Sequence, residues 1–311
     1  SGEFAVSVSI VEAGKADSDD HAASGIAVGD WFLLEPDTHR GVRRLERKTR
    51  LYRKAAGETV RPQLIAANME TVFVVSSCNQ DFNLSRLERY LALILESGAV
   101  PVVVLTKSDL HEDPANLRQQ AAALHPGLIV ESLDARDSGQ TAVLEHWCRT
   151  GQTIAMLGSS GVGKSTLANT MCDLDVRTAA IREDDDKGRH TTTARSMHRM
   201  NAGGWLIDNP GMRELQLPAC EQGVADLFDD VLRIAEECKF RNCNHQGDAG
   251  CALQAAVASG DLEQRRLTNY LKLQAEQTRN SESLADRRER DRKSGRMYKR
   301  IISEKESRRR G

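Results

Sequence analysis

The sequence predicts an α/β fold with a parallel sheet, flanked by a small N-terminal β-barrel and a C-terminal helical region that holds a metal ion. Three observations carry this prediction. Strand patterns alternate with amphipathic helix patterns from residue 69, shorter strand patterns precede them, and three cysteines and a histidine crowd together after residue 219. A chain of 311 residues is long enough for more than one core. We expect boundaries that divide it into residues 1–68, 69–218 and 219–311.

The composition argues against a membrane protein and against a disulfide framework. No apolar run approaches the roughly 18 residues that span a bilayer, and the N-terminus lacks the apolar core of a signal peptide. The chain has seven cysteines, an odd number, and three of them share one short window. That pattern is typical of metal ligation in a reducing compartment. We therefore expect a cytoplasmic protein without a membrane partner.

The first 68 residues show short strand patterns. Residues 4–10 alternate apolar with small side chains, and residues 28–34 and 42–45 indicate two further strands. Short strands with basic outward positions predict a small β-barrel that binds nucleic acid through its charge. No strand pattern precedes residue 4, and we expect the barrel to be incomplete at its N-terminus.

Two basic segments stand out in a chain whose net charge is only −2. Nine basic and two acidic residues lie between Arg40 and Arg61, and twelve basic and five acidic residues lie between Asp286 and the C-terminus. Such local excesses favour an extended polyanion as partner. A solvated charged face explains either segment, taken alone, about equally well.

The central region alternates strands with helices. The predicted strands are residues 71–75, 100–105, 128–130, 154–157 and 205–207. Apolar residues from Leu84 to Leu95 fall on one face of a helix that Gly98 stops, and Asp113 with Pro114 forms a good start for the next helix. This alternation indicates a parallel sheet covered on both sides.

A phosphate-binding loop follows the strand at residues 154–157. It fits G-x-x-x-x-G-K-[ST], and its predicted members are Gly158, Ser159, Ser160, Gly161, Val162, Gly163, Lys164, Ser165 and Thr166. Glycines let successive N–H groups and the helix N-terminus point at a phosphate, Lys164 adds a charge, and Ser165 offers a hydroxyl to Mg²⁺. The sequence therefore predicts a nucleoside-triphosphate site, with a glycine-rich turn that binds nothing as the alternative.

A base-reading motif ends the strand at residues 100–105. It consists of Thr106, Lys107, Ser108 and Asp109. At the carboxyl end of a parallel strand, Asp109 can accept hydrogen bonds from the N1–H and 2-amino groups of guanine, which adenine cannot match. The aliphatic stem of Lys107 would lie over the base. Because so short a motif also occurs by chance, its weight comes from the phosphate loop in the same chain.

Two segments predict switches that respond to the γ-phosphate. Asp208 to Gly211 fits D-x-x-G, in which Asp208 supports the Mg²⁺ shell and the Gly211 N–H contacts the γ-phosphate. Thr191 or Thr192 can complete the Mg²⁺ shell only while that phosphate is present. We expect Ser165, Thr191, Thr192 and Asp208 to form the magnesium site.

The order of these motifs is unusual. Ordinary small GTPases place the phosphate loop first, whereas here Thr106 to Asp109 precedes it. The sequence therefore predicts a circularly permuted P-loop GTPase domain, in which both switches lead directly into the C-terminal region.

The C-terminal region contains a metal-ligand pattern. Cys238, Cys243, His245 and Cys251 supply three thiolates and an imidazole within one loop, which favours tetrahedral Zn²⁺ with no open position for catalysis. Three unrelated cysteines are the alternative. A helix at residues 224–237 is expected before the loop. A helix at residues 252–260 and a long helix from Leu262 are expected after it.

With these motifs placed, the sequence resembles the RsgA/YjeQ family of circularly permuted GTPases, which act in late assembly of the small ribosomal subunit. The matching segments are Val28-Gly29-Asp30-Trp31, Ala66-Ala67-Asn68, Thr106 to Asp109, Gly158 to Thr166, Gly188 to Thr193, Asp208 to Gly211 with Arg213-Glu214, and the Cys/His cluster. The resemblance implies an N-terminal OB-fold, a central GTPase domain, a C-terminal helical zinc-binding domain and hydrolysis stimulated by ribosomal RNA.

Some positions differ from the pattern of other GTPases or from that of the family. Met212 follows Gly211, where many GTPases place a water-orienting glutamine. The resemblance implies that His190 is the catalytic residue instead, since a histidine beside switch threonines could orient or polarise the attacking water. His190 could equally contact RNA or serve the structure. Residues 248–250 lack the proline usual in the family, and residues 132–134 match the family's base-proximal loop only weakly.

These expectations combine into one function. The resemblance implies a GTPase that binds the small (30S) ribosomal subunit and its 16S rRNA during late maturation, hydrolyses GTP to GDP and phosphate, and leaves the subunit on hydrolysis. We expect Mg²⁺ with GTP, one structural Zn²⁺ per chain and a monomer. The alternative is a nucleotide-regulated RNA-binding protein outside ribosome assembly. An ATP-using kinase or transport ATPase is disfavoured by Asp109 and by the lack of a second substrate motif.

Overall fold

A computed structural model describes residues 25–38, 41–54, 62–172, 196–208 and 218–281 of the chain. Four short strands come first: β1 (Phe32–Leu34), β2 (Gly41–Arg44), β3 (Arg50–Lys54) and β4 (Pro62–Ala67). β1 pairs antiparallel with β2, and β3 pairs antiparallel with β4. The expected strand at residues 28–34 is shorter than predicted, because Val28 forms only an isolated bridge to Ala66. The strand predicted at residues 4–10 lies outside the described residues.

Two of the matched N-terminal segments pack against each other. A Cβ added to Gly29 would lie 2.0 Å from the carbonyl oxygen of Ala67, so only glycine fits at this turn. Asn68 donates through Nδ2 to the carbonyl oxygen of Gly29 at 2.9 Å. Asp30 accepts two hydrogen bonds from the Arg47 guanidinium, at 2.6 and 2.7 Å. These contacts hold the N-terminal strands together.

Arg47 therefore corrects one sequence expectation. It was counted with the basic residues that would meet a polyanion, but its side chain is only 3% exposed and is paired with Asp30. Hydrogen bonding to the Asp30 carboxylate raises the pKa of Arg47 further despite its burial. Arg43, Lys48 and Arg50 are exposed, so the basic surface of this region excludes Arg47.

Six strands form the main sheet: β5 (Thr71–Ser77), β6 (Val100–Thr106), β7 (Ile129–Ser132), β8 (Thr153–Leu157), β9 (Ser196–Arg199) and β10 (Trp205–Asp208). Their spatial order is β7-β6-β5-β8-β10-β9. All neighbours are parallel except β9, which pairs antiparallel with β10 at one edge. The predicted parallel sheet is confirmed, and the structure adds β3, β4 and β9, which patterning did not predict.

Both faces of the sheet are covered, as the unbroken apolar strands predict. Along β5, Val72 and Val74 belong to one hydrophobic cluster and Phe73 and Val75 to the other. Four α-helices lie within the described residues 62–172: α1 (Leu84–Ser97), α2 (Pro114–Ala122), the short α3 (Ser138–Thr141) and α4 (Lys164–Cys172). α1 packs into the first cluster and α4 into the second.

The predicted end of α1 at Gly98 and the predicted start of α2 at Asp113 and Pro114 are confirmed. Asn83 caps α1 by accepting a hydrogen bond from the Arg86 N–H at 2.9 Å, and Gly98 ends the helix with a left-handed φ of 80°. Asp113 caps α2 by accepting from the Asn116 N–H at 3.0 Å, with Pro114 in the first turn.

Between residues 218 and 281, the described part of the C-terminal region, the chain forms four α-helices: α5 (Glu221–Leu227), α6 (Asp229–Glu236), α7 (Ala252–Ser259) and α8 (Gln264–Ser281). The prediction of a single helix at residues 224–237 is wrong. The helix is interrupted at Phe228, which has φ −107° and ψ 30° and separates α5 from α6. Phe228 is fully buried, with the Arg266 guanidinium 4.8 Å from its ring centroid and the Tyr270 ring 5.5 Å away. This interruption of the helix lets the Phe228 ring pack into the hydrophobic core between the C-terminal helices.

α1 joins the central sheet to the C-terminal helices. Glu88 of α1 is fully buried and accepts hydrogen bonds from Arg265, Arg266 and Asn269 of α8. A Cβ added to Gly223 of α5 would lie 2.0 Å from a carbonyl oxygen of α1, which shows how closely the two helices approach. Within the described ranges, none of the helices combines the length and apolar character that a membrane span requires.

Candidate functional site

The phosphate loop connects the end of β8 to the start of α4, as its motif predicts. Gly158 has φ 153°, and a Cβ there would lie 2.2 Å from the carbonyl oxygen of Val75. Gly161 and Gly163 have φ values of 79° and 94°, which L side chains rarely adopt. The three glycines therefore allow the chain to turn tightly against β5.

Lys164 and Ser165 begin α4, directly after the loop. The Lys164 ammonium donates to the carbonyl oxygen of Gly158 at 2.7 Å and to that of Ser159. Ser165 is exposed, so its hydroxyl is accessible. The Leu167 N–H donates to the Gly163 carbonyl at 2.9 Å, so the helix begins within the motif and its N-terminus faces the loop. This arrangement can bind an anion.

The base-reading motif lies at the same sheet edge. β5 separates β6 from β8 and is parallel to both, so the carboxyl ends of all three strands meet. The Thr106 hydroxyl donates to the Val162 carbonyl at 2.6 Å, and the Lys107 ammonium donates to the Gly161 carbonyl at 2.9 Å. The Lys107 side chain therefore bridges the two motifs, as expected for a stem that lies over a base.

Lys107 also has an unusual backbone. It has φ 56° and is one of three non-glycine residues with positive φ among the described residues. The other two are Asn68 and His245, so all three fall in segments that the sequence analysis had singled out. Such strain persists where the surrounding structure holds it, often beside a ligand site.

Asp109 faces a guanidinium that sequence analysis did not find. Arg136 donates to Asp109 Oδ2 at 2.7 Å and to Asp134 Oδ2 at 2.7 Å. The hydrogen bond to Asp134 is the main reason that the pKa of Arg136 is raised, and the same contact lowers the pKa of Asp134. In the sequence, this loop was indicated only by the weak match at residues 132–134. Arg136 itself belongs to no recognised motif.

A cleft of about 330 Å³ adjoins Asp109. Its lining residues are Ser108, Asp109, Pro114, Ala115, Arg118, Ser132 and Gln140. None of them belongs to the phosphate loop, so the cleft flanks the base-reading motif and is separate from the phosphate site.

Asp208 lies at the same sheet edge as the phosphate loop. β10 is parallel to β8, with Ile207 opposite Ala155, so Asp208 follows near the point where the loop begins. The strand register therefore brings the end of β10 close to the start of the phosphate loop, and the magnesium pair of Ser165 and Asp208 stays a prediction. The other predicted site residues, His190, Thr191, Thr192 and Gly211, lie outside the described residues.

The predicted metal ligands converge between α6 and α7. The ligand atoms of Cys238, Cys243, His245 and Cys251 all lie within 4.8 Å of one another. His245 Nδ1 is 3.6 Å from the Sγ atoms of both Cys238 and Cys251. A tetrahedral zinc ion places sulfur and nitrogen ligands about 3.5 Å apart, so the four residues fit zinc.

Backbone groups favour the thiolate form of one ligand. Burial alone would raise the pKa of Cys238, but the N–H groups of Ala252 and Leu253 donate to its sulfur and the net pKa is lowered. The thiolate is the form that binds a metal ion.

Asp248 braces the metal loop and was not predicted to do so. Its Oδ2 accepts a hydrogen bond from the Asn244 N–H at 2.7 Å and lies 3.3 Å from the Cys243 sulfur. Residues 248–250 lack the usual proline, and this side chain supplies an alternative constraint on the loop. No spacing rule in the sequence identifies it.

Comparisons with known proteins agree with the geometry. The profile of the RsgA GTPase family matches residues 44–218, which is more than half of the chain. "Small ribosomal subunit biogenesis GTPase RsgA 2" of Vibrio parahaemolyticus is 50% identical over 289 residues, covering 93% of this chain and 80% of that protein. "Small ribosomal subunit biogenesis GTPase RsgA" of Mesorhizobium japonicum is 51% identical over 259 residues, covering 82% of this chain and 75% of that protein.

Solved structures share the fold. YjeQ from Thermotoga maritima superposes with a TM-score of 0.59 at 24% identity, covering 82% of this chain and 85% of that one. YloQ, described as a circularly permuted GTPase, has a TM-score of 0.58 at 23% identity, covering 85% of each chain. With the profile match and relatives at about 50% identity, these findings lead to one conclusion: the chain belongs to the RsgA GTPase family.

Proposed function

We propose that this protein is a GTPase that binds the small ribosomal subunit and its 16S rRNA during late maturation, hydrolyses GTP to GDP and phosphate, and is released on hydrolysis. The observation that carries the proposal is the joining of the two nucleotide motifs at one sheet edge. Thr106 and Lys107 contact the phosphate loop directly, and Asp109 belongs to the same motif. The names of the RsgA relatives supply the ribosomal part.

In this proposal the chain's own residues divide the work of nucleotide binding. Asp109 accepts from the guanine edge, and the Lys107 stem covers the base. The loop N–H groups and the N-terminus of α4 hold the phosphates, and Lys164 leaves its carbonyl partners to contact them. Mg²⁺, when bound by Ser165 and Asp208, neutralises charge on the phosphates.

The proposed hydrolysis step depends on the switch residues. Met212 cannot orient an attacking water, so free protein should turn over slowly. His190 would orient or polarise that water once the ribosomal subunit completes the site. Thr191 or Thr192 and the Gly211 N–H would report the loss of the γ-phosphate, and the C-terminal region that follows these switches would transmit the change.

Two flanking regions would hold the RNA. Residues 1–68 would form an OB-fold, whose exposed Arg43, Lys48 and Arg50 suit a phosphate backbone. Residues 219–311 would form a domain around one structural Zn²⁺, with the basic C-terminal segment adding charge. Residues 69–218 would form the permuted GTPase domain, and the protein would act as a cytoplasmic monomer.

Phosphate release tests the proposal. We would measure it from GTP and from ATP, each with and without purified small subunits, for the wild type and for Lys164→Ala. The expected result is a GTP-specific rate that subunits raise strongly and that Lys164→Ala abolishes. Fast hydrolysis by free protein without a subunit effect would contradict the ribosomal part, and equal use of ATP would contradict the role of Asp109.

A nucleotide-regulated RNA-binding protein outside ribosome assembly is the second candidate, because the exposed basic residues suit any RNA. Sedimentation with subunits or with free RNA, in GTP and in GDP, separates the two. Nucleotide-dependent binding to free RNA alone would favour the second candidate.

A further inference from the structure

The Arg136 guanidinium is held in place by the turn in which it lies. Arg136 Nε donates to Asp134 Oδ1 at 2.9 Å, Nη2 donates to Asp134 Oδ2 at 2.7 Å, and the Arg136 backbone N–H donates to Asp134 Oδ1 at 3.0 Å. The Asp134 N–H is held in turn by Gln140 Oε1 at 2.9 Å. A bidentate pair of this kind fixes the plane of the guanidinium.

From this fixed position, the second N–H of Nη2 is directed to Asp109. Arg136 Nη2 reaches Asp109 Oδ2 at 2.7 Å. An ionised carboxylate offers about four acceptor positions on two oxygens, and Arg136 uses one of them. The positions that remain are enough for the N1–H and 2-amino donors of guanine, so the ion pair and the base can coexist on Asp109.

Without this contact, the Asp109 carboxylate would be poorly oriented. The terminal torsion of an aspartate is broad, and the Asp109 side chain is 32% exposed at the mouth of the site. Recognition of guanine requires both carboxylate oxygens in the plane of the base. A guanidinium bound to one carboxylate oxygen reduces this freedom before the ligand arrives, which improves affinity by pre-organisation.

We propose that Arg136 is a positioning residue for guanine recognition, which orients the Asp109 carboxylate and is itself oriented by Asp134. This inference rests on the proposed GTPase function. It goes beyond it by assigning part of the base specificity to a side chain outside the base-reading motif.

The test is equilibrium binding of fluorescent GDP, with competition by unlabelled GDP, IDP and ADP, for the wild type, Arg136→Ala, Arg136→Lys and Asp134→Asn. We expect Arg136→Ala to weaken GDP binding about 5-fold, within the range measured for exposed ion pairs. IDP lacks the 2-amino group and uses one carboxylate oxygen, so its binding should weaken less. Asp134→Asn should act in the same direction, and Arg136→Lys should be intermediate because it keeps charge but loses the fork.

Two controls separate positioning from a general loss of charge. Arg118 lines the same cleft as Asp109, but its guanidinium donates to the Val130 carbonyl at 2.7 Å. Arg118→Ala should therefore leave the ratio of GDP affinity to IDP affinity unchanged. In the Asp109→Asn background, whose amide can pair with the 2-oxo group of xanthine, Arg136→Ala should have little effect on XDP binding. Circular dichroism would check that each variant is folded.

Several results would overturn the inference. Tighter GDP binding by Arg136→Ala would mean that the guanidinium competes with the base. An unchanged GDP/IDP ratio, or equal effects of Arg136→Ala and Arg118→Ala, would leave only a surface ion pair. A wild type that does not prefer GDP to ADP would instead contradict the proposed function itself, so the two failures are distinguishable.

Discussion

The Thr106 hydroxyl donates a 2.6 Å hydrogen bond to the carbonyl oxygen of Val162, which joins the base-reading strand to the phosphate loop across 56 residues of sequence. Thr106 is fully buried, so no water can replace this bond. This buried hydroxyl therefore helps to fix the position of the base-reading motif relative to the phosphate loop, together with the bond from Lys107 to the Gly161 carbonyl.

Thr106→Val should impair both stability and nucleotide binding. It keeps the side-chain shape but leaves the Val162 carbonyl unpaired, which costs about 1–3 kcal/mol. Urea unfolding measures the loss of stability, and GDP titration measures the loss of affinity. Thr106→Ser retains the hydroxyl and should recover most of both, whereas equal effects of the two variants would show that the methyl group matters more than the bond.

Glu88→Gln should destabilise the contact between α1 and α8. Glu88 is fully buried against Arg265, Arg266 and Asn269, and removal of one charge from such a group costs about 3 kcal/mol. Glu276→Gln is the matched control, because the pair of Glu276 with Arg89 also links α1 to α8 but is partly exposed and should contribute about 1 kcal/mol or less. Equal losses in chemical unfolding would contradict the special role of Glu88.

The ionised Asp230 carboxylate should stabilise the fold at neutral pH and lose this effect in acid. Burial opposes its ionisation, but hydrogen bonds and charge from Arg266 outweigh burial, so the pKa of Asp230 is lowered from 3.8. The stabilisation is therefore complete above pH 3.8 and is lost as the pH falls through the lower folded-state pKa. Asp230→Asn should be less stable than the wild type at pH 7, and the difference should shrink below pH 3.8. A difference that grows on acidification would contradict this sign.

Removal of zinc should unfold the loop between α6 and α7. We expect one zinc per chain by atomic emission, and a lowered melting temperature after treatment with a strong chelator. Cys243→Ala should lose the metal, whereas Cys78→Ala, a buried cysteine outside the cluster, should keep it. Retention of a full equivalent of zinc by Cys243→Ala would contradict the four-ligand site.

His190→Ala should separate binding from hydrolysis. If His190 orients the attacking water, this change leaves GTP affinity nearly intact but lowers subunit-stimulated phosphate release by about 100-fold or more. Lys164→Ala, measured in parallel, should lose nucleotide binding. A loss of GTP binding in His190→Ala would assign His190 to the structure of the switch instead.

Local sequence patterns were enough to predict the features whose chemistry lies in contiguous residues. The glycine pattern of the phosphate loop, the strand that ends at Thr106 and the spacing of the Cys/His cluster each depend on local backbone geometry. The alternation of apolar strands with amphipathic helices likewise determined the parallel sheet, because each pattern reports which faces are buried.

Contacts between residues that are distant in the sequence became visible only in the tertiary structure. Arg47 reaches Asp30 and leaves the basic surface, Arg136 reaches Asp109, and Phe228 breaks a helix to pack beside Arg266 and Tyr270. Helical periodicity continues across Phe228, and an arginine in a basic or polar segment looks the same whether it is buried or free. Their roles follow from which side chains the packed helices and strands bring within hydrogen-bonding distance, and no local pattern encodes that.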